Sequence, residues 1–324
     1  GCGMSCENLS TTLDGWKTQA VALNKNSISL GTLKADQYYN QMGQTAITAL
    51  TVRGWTITGG TYAADCLTPN IWFTTLWDLS KPTNRTTNNP ATTIAFPGIG
   101  SGYTLYWEDA DDPTPLGKHG IVTVTTQPYY LPVPAGTTKV RIKAYKGSGT
   151  FSAINHLSWN NADDPKRLIA VEQWGTTVWS SMENAFKDCE NMDVTATDKP
   201  NLSQCNDLSY MFNGCSSLVN TNGSISNWNT ENIIDMNSMF NSATSFNQPL
   251  TNWNTQNVTD MSSMFAAAIS FNQPLTNFDT KNVTYMQYMF QNARYFNQPL
   301  TNFNTKKVTN MISMFSGARS FNQP

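Results

Sequence analysis

Trp253-Asn-Thr-Gln-Asn-Val-Thr-Asp-Met-Ser-Ser-Met-Phe265-Ala-Ala-Ala-Ile-Ser-Phe271-Asn-Gln-Pro-Leu275 is one copy of a pattern that recurs through the C-terminal half of the chain. The motif Phe-Asn-Gln-Pro begins at Phe246, Phe271, Phe296 and Phe321, a step of 25 residues. The same step carries Trp228, Trp253, Phe278 and Phe303, then Ile233, Val258, Val283 and Val308, then the Met-Phe pairs that end at Phe240, Phe265, Phe290 and Phe315. A copy this short cannot bury its own apolar side chains, so successive copies must stack and share a core along one axis. Within a copy, Val258 and Met261 are expected on or beside a short strand and Ser262 to Ala268 in a short helical turn. Phe265, Ala268, Phe271, Leu275 and Phe278 would point inward. Ala243, Ala268, Ala293 and Ala318 recur where a tight chain approach excludes larger groups, and Asn247, Asn272 and Asn297 recur where amides can bond the backbone of a neighbouring copy. Met211-Phe212 and Ala185-Phe186 continue the pattern backward at looser spacings of 28 and 26 residues, so the array begins near Arg167. Irregular opening copies suit a capping role.

The segment from Trp253 to Phe265, followed by Ser270-Phe-Asn-Gln-Pro-Leu275, resembles the BspA-like, leucine-rich-repeat-related surface proteins of bacteria, over residues 167–324. That resemblance implies an extracellular, right-handed leucine-rich-repeat-like solenoid used for adhesion, with no catalytic residues. The chain as a whole is then expected to be a mixed α+β, multi-domain molecule. Residues 1–66 would be an α/β C-terminal cap of a preceding array, 67–165 a β-sandwich, and 166–324 the solenoid, cut at its C-terminal end.

For the cap, Leu9, Leu13 and Trp16 share a helical face behind Ser5, and a second helix is expected from Gln44 to Arg53 before a strand at Trp55-Thr-Ile-Thr58. Its Cys2-to-Cys6 start and Gly54-Trp-Thr-Ile-Thr-Gly59 resemble the terminator that follows such arrays. Between residues 67 and 165 short strands are expected at 71–77, 92–96, 103–107, 121–126, 139–145 and 150–154, divided by turn clusters such as Pro97-Gly98 and Asp111-Asp112-Pro113. Tyr106-Trp107-Glu-Asp, the acidic turn and the strand Thr138-Lys-Val-Arg-Ile-Lys143 resemble an immunoglobulin-like, polycystic-kidney-disease-type spacer. Ala170-Val-Glu-Gln-Trp174 through Trp179 resembles the family's opening segment, with both tryptophans plugging the first coil.

Composition narrows the function. With 39% hydrophobic and 13% charged residues the 324-residue chain has ample apolar material for a core, and its formal charge of −2 offers no overall excess for neutralising nucleic-acid phosphates. No apolar stretch reaches membrane-spanning length and no signal peptide is visible. Cys2, Cys6 and Cys66, and separately Cys189, Cys205 and Cys215, cluster as candidate disulfide partners or buried thiols, with connectivity open; a zinc site is the rival reading, but Cys2-x3-Cys6 has no matching His pair. Glu108, Asp109, Asp111 and Asp112 are the densest carboxylate group. Asp109, Asp111 and Asp112 are candidate Ca²⁺ ligands, although the absence of a Gly-bearing loop and of a closing Glu favours a plain polar turn. No other cofactor is expected. With His119 and His156 the only histidines, nucleophilic catalysis has little support, and no enzyme activity is expected.

One copy departs from its neighbours by carrying Tyr285, Tyr288, Arg294 and Tyr295, aromatic and cationic groups suited to sugar rings or protein. The expectation is a non-enzymatic segment of a large bacterial cell-surface adhesin or stalk. Its partners would be a surface glycan or protein and neighbouring domains of the same polypeptide, with neither nucleic acid nor direct membrane insertion. Alternatives are an ice- or mineral-binding face on the ladders Thr255, Thr280, Thr305 and Thr259, Thr284, Thr309, or a surface carbohydrate-active enzyme.

Overall fold

The computed structural model describes the backbone of residues 29–39 and 56–62, and residues 71–83, 85–86, 88–112, 118–127, 129–147, 149–156 and 164–324. The chain divides into two compact units, one of residues 1–72 and 112–118 and one of 73–111 and 119–324. In the first, β1 (Ser29–Tyr39) pairs in parallel with β2 (Thr56–Tyr62). The expected helices from Ser5 and over Gln44 to Arg53, together with Cys2, Cys6 and Cys66, lie outside the described residues.

The second unit opens with β3 (Phe73–Asp78), β4 (Thr93–Phe96), β5 (Gly98–Ser101), β6 (Tyr103–Asp109), β7 (His119–Val124), β8 (Tyr129–Pro132), β9 (Lys139–Tyr145) and β10 (Thr150–Ile154). Two more strands, β11 (Leu168–Gln173) and β12 (Asp193–Val194), follow a 3-10 turn at Pro165–Arg167. A six-stranded sheet runs in the order β12-β11-β3-β9-β6-β7, with β4-β8 and β5-β10 as separate two-stranded ladders. Strict alternation in β6 and β9 turns Tyr103, Leu105, Trp107, Val140, Ile142 and Ala144 inward, as a one-sided sheet requires. Phe96 of β4 and Phe151 of β10 lie against this face, 6.4 Å from Trp77 and 5.1 Å from Tyr103 respectively.

Strand β11 ties this sheet to the repeats, pairing antiparallel with β3 and parallel with β12. One core runs without a break from Phe73 to Met314. Trp174 and Trp179 are fully buried where the two regions meet, edge-on to each other at 6.3 Å and to Phe73 and Trp228. Their indole N–H groups and that of Trp228 have no hydrogen-bond acceptor, and the edge-on geometry offers ring faces instead.

Each repeat is a run of tight turns. Single parallel bridges link Asp207, Asp235, Asp260, Tyr285 and Asn310 in succession. At every step alternate N–H groups bond carbonyls of the next copy, as in Met236 to Asp260, Ser238 to Ser262, Phe240 to Met264 and Ser242 to Ala266, at 2.8–3.0 Å. Phenylalanines form continuous columns, with Phe240, Phe265, Phe290 and Phe315 at 5.7–5.8 Å and Phe246, Phe271, Phe296 and Phe321 at 6.0–6.1 Å.

The mixed α+β reading is thereby corrected. Among the described residues there is no α-helix, only two 3-10 turns and otherwise strands, bridges and turns. The leucine-rich-repeat-like solenoid with a helical turn over Ser262 to Ala268 is not formed, because two residues of every copy sit in the left-handed region. In the four regular copies these are Ser238, Ser263, Tyr288 and Ser313 at one position and Ser242, Ala267, Asn292 and Gly317 at another, with φ between 52° and 75°, and in the opening copies Asn184 and Tyr210, then Asp188 and Gly214. A left-handed residue ends a right-handed helix, and the N–H groups it would use are directed to the next copy.

Candidate ligand-contact face

A side-chain cap repeats at the bridging position. Ser181 accepts from the Glu183 N–H at 3.0 Å, Asp207 from Ser209 at 2.8 Å, Asp235 from Asn237 and Asp260 from Ser262 at 2.7 Å, and Asn310 from Ile312 at 3.0 Å. Such short polar side chains bonding two residues onward stabilise a turn locally. Tyr285 occupies the same position, bridging Asp260 and Asn310, and has no oxygen within reach of that N–H; its ring is 45% exposed. Three residues on, Tyr288 takes the left-handed position at φ 60° and is 37% exposed. Between them the Gln287 amide oxygen is buried without a donor. Arg294 and Tyr295 occupy the next turn of the same copy, Arg294 exposed and Tyr295 62% exposed. The four residues thus share one copy, and among the described residues none of the three tyrosines packs its ring on another aromatic.

The bridging position also stacks Asp207, Asp235 and Asp260 in consecutive copies. Partial burial, followed by the charges of Asp207, Asp260 and Glu183, raises the Asp235 carboxyl above its ordinary range, an effect opposed by its bond from Asn237.

Other candidate residues have structural employment. Asp109 is buried and accepts from the Asp111 N–H at 3.1 Å and the Thr137 hydroxyl at 3.2 Å. Asp111 accepts from the Thr138 hydroxyl, and Asp112 is exposed. Glu108 faces Arg141 at 3.1 Å and Lys143 at 3.3 Å. Among the described residues no three His, Cys, Asp or Glu side chains are grouped to hold a metal ion.

Of the two readings of the second cysteine cluster, disulfides are not formed, and Cys189, Cys205 and Cys215 are buried thiols. Cys189 and Cys215 fill the position that Ala243, Ala268 and Ala293 fill later, and Cys205 the position of Ile233 and Val258. They act as small apolar core residues. Burial pushes Cys205 up to about 11 and Cys215 higher, which keeps both as unreactive thiols at neutral pH. Cys189 Sγ lies 3.6 Å from His156 Nε2, and both residues are buried.

The first threonine ladder faces inward at Thr255 and Thr280, while Thr305 is exposed. Thr255 and Thr280 are fully buried, each hydroxyl donating to a carbonyl of the next copy and accepting an N–H from it, as Thr255 does with Asp279 at 3.1 and 2.8 Å. Thr259 and Thr309 lie outward and bond the preceding carbonyl. Among the described residues no helix is long and apolar enough to cross a membrane.

The repeat copies are similar to a known family of undetermined role. A family model described as Mycoplasma protein of unknown function, DUF285, matches residues 180–276 and 250–324. No curated protein and no solved structure matches the chain.

Proposed function

We propose that this chain is a non-enzymatic segment of a bacterial cell-surface protein of the BspA-like kind, displaying the copy that contains Tyr285, Tyr288, Arg294 and Tyr295 to a glycan or protein on another surface. The supporting observation is that this copy gives up a local stabilising device to present aromatic rings. Where its neighbours place a capping oxygen it has Tyr285, and it places the bulky Tyr288 where the copies on either side have Ser263 and Ser313. A residue that breaks a local rule without helping the stack is the kind that contact with a ligand retains. Repetition of the coil suits extracellular reach, and weak contacts on a repeated surface add through multivalency.

The test is a chain carrying Tyr285→Asp, Tyr288→Ser and Tyr295→Ser, each the residue of a neighbouring copy. It should melt no lower than the parent, and higher if the restored cap contributes its usual ~1 kcal/mol, while attachment of the purified chain to a glycan panel or to whole cells falls. Undiminished attachment by a fully folded triple variant would refute the assignment.

A further inference from the structure

The near-neutral total charge conceals a separation along the stack. Residues 181–275 contain nine carboxylates and two lysines, a formal −7, whereas 276–324 contain five cations and only Asp279, a formal +4. The change occurs position by position. Glu231 and Gln256 give way to Lys281 and Lys306, and Thr244 and Ile269 to Arg294 and Arg319. All four cations are exposed. Lys281 is partly neutralised by Asp279 at 2.8 Å, but Arg294, Lys306 and Arg319 make no ion pair among the described residues.

Arg294 and Arg319 hold the same position in consecutive copies, as do Lys281 and Lys306. The columns beneath them step 5.7 Å from Phe290 to Phe315 and 6.0 Å from Phe296 to Phe321. Two like charges at that step repel unless an anion lies between them. Lys281 and Arg294 belong to the copy whose tyrosines are exposed, and Lys306 and Arg319 to the next.

We infer that the surface of residues 276–324 binds an anionic polysaccharide, its carboxylate or sulfate groups held by Arg294, Arg319 and Lys306 and its sugar rings by Tyr285, Tyr288 and Tyr295. This rests on the attachment reading above and specifies its ligand. A polymer suits the site better than an acidic protein does, because the cations repeat by translation, one copy per step, as charges do along a chain of identical sugars. Arginine contributes paired N–H donors to each oxyanion, and tyrosine faces accept the apolar sides of sugar rings. The acidic copies 181–275 repel the same polymer, so within this chain binding would be confined to residues 276–324.

The experiment compares binding of the full chain to dextran sulfate, to uncharged dextran, to polyglutamate and to duplex DNA at two salt concentrations. Dextran sulfate should bind at least about tenfold more tightly than the other three and weaken steeply as salt rises, since association releases counterions. Arg294→Glu with Arg319→Glu, both on exposed side chains, should reduce that binding by about tenfold or more, with melting unchanged. Lys199→Glu, in the acidic half, should leave it unaltered. Equal binding of dextran would overturn the anion assignment while leaving the attachment reading intact. Equal binding of polyglutamate or DNA would overturn the sugar assignment, and full binding by the double variant would overturn the site. Binding to none of the four would overturn the inference alone, and cell attachment would then decide the broader reading.

Discussion

Ala267 has φ 53°, at a position where Gly317 stands in the last copy. An alanine there bears a left-handed penalty of ~1–2 kcal/mol, partly offset by the greater unfolded-state freedom of glycine. Ala267→Gly should therefore raise stability by up to about 1 kcal/mol, read as a higher denaturant midpoint. Gly317→Ala should lower it, because a Cβ would come within 2.2 Å of Asn292 Oδ1 as well as adopting φ 75°. Asp235 gives a second prediction at this scale. Its folded-state carboxyl is raised, so its proton is bound more tightly folded than unfolded. Stability should increase as pH falls through that range, level off below the unfolded value near ~4, and decrease again as pH rises. Asp235→Asn retains a cap, as Asn310 shows, and removes the like charge. It should melt higher than the parent at neutral pH, and the difference should shrink on acidification. The exposed tyrosines and the inward phenylalanines were legible from the period alone. The left-handed positions were not, since Ser, Ala, Tyr and Asn all occupy them.

Among the elements, β11 depends on a buried charge cluster just before it. Asp164 is fully buried and accepts from Arg85 Nε at 3.0 Å and the Ala95 N–H at 2.9 Å, with Arg85 Nη2 at 2.8 Å and Arg167 Nη1 at 3.7 Å. The remaining guanidinium donors reach carbonyls of Lys81, Pro90 and Thr93. Asp164→Ala would leave two buried cations facing each other, and a loss of about 3–5 kcal/mol is expected, seen as one lowered transition for sheet and repeats together. Two transitions would show that β11 does not couple them. The six strands expected between residues 71 and 154 are each present within two or three residues, because alternation and turn residues are local signals. Strands β5 and β8 are four residues long and were not anticipated: Gly98-Ile-Gly-Ser101 has little side-chain pattern, and Tyr129–Pro132 ends in proline. The helical turn was expected from the apolar spacing of Met261, Met264, Phe265 and Ala268, which suits a helix equally well. What decides otherwise is hydrogen bonding between copies, a non-local effect that no single copy displays.

For the molecule as a whole, one interior spans sheet and array, so damage at a distance should spread. Phe265 lies between Phe240 at 5.7 Å and Phe290 at 5.8 Å, with Phe271 at 4.0 Å. Phe265→Ala removes contacts on both sides and should cost about 3–5 kcal/mol. Hydrogen exchange should show faster opening in the copies that flank it than in β6 and β9. The 25-residue period was plain in the sequence, as was the need to stack. The charge separation was equally available there, but a single net value for the chain concealed it.

The hydrogen bonds that join one copy to the next lie along the direction in which a pull on the C-terminus would act. Under tension they would be loaded one copy after another, so the array should pay out like coils lifted from a spool. Each event would release one copy, about 80 Å of extended chain. Stretching a single molecule should then give evenly spaced force peaks from the C-terminal end, followed by a stronger one when β11, already stripped of β12, is drawn from β3.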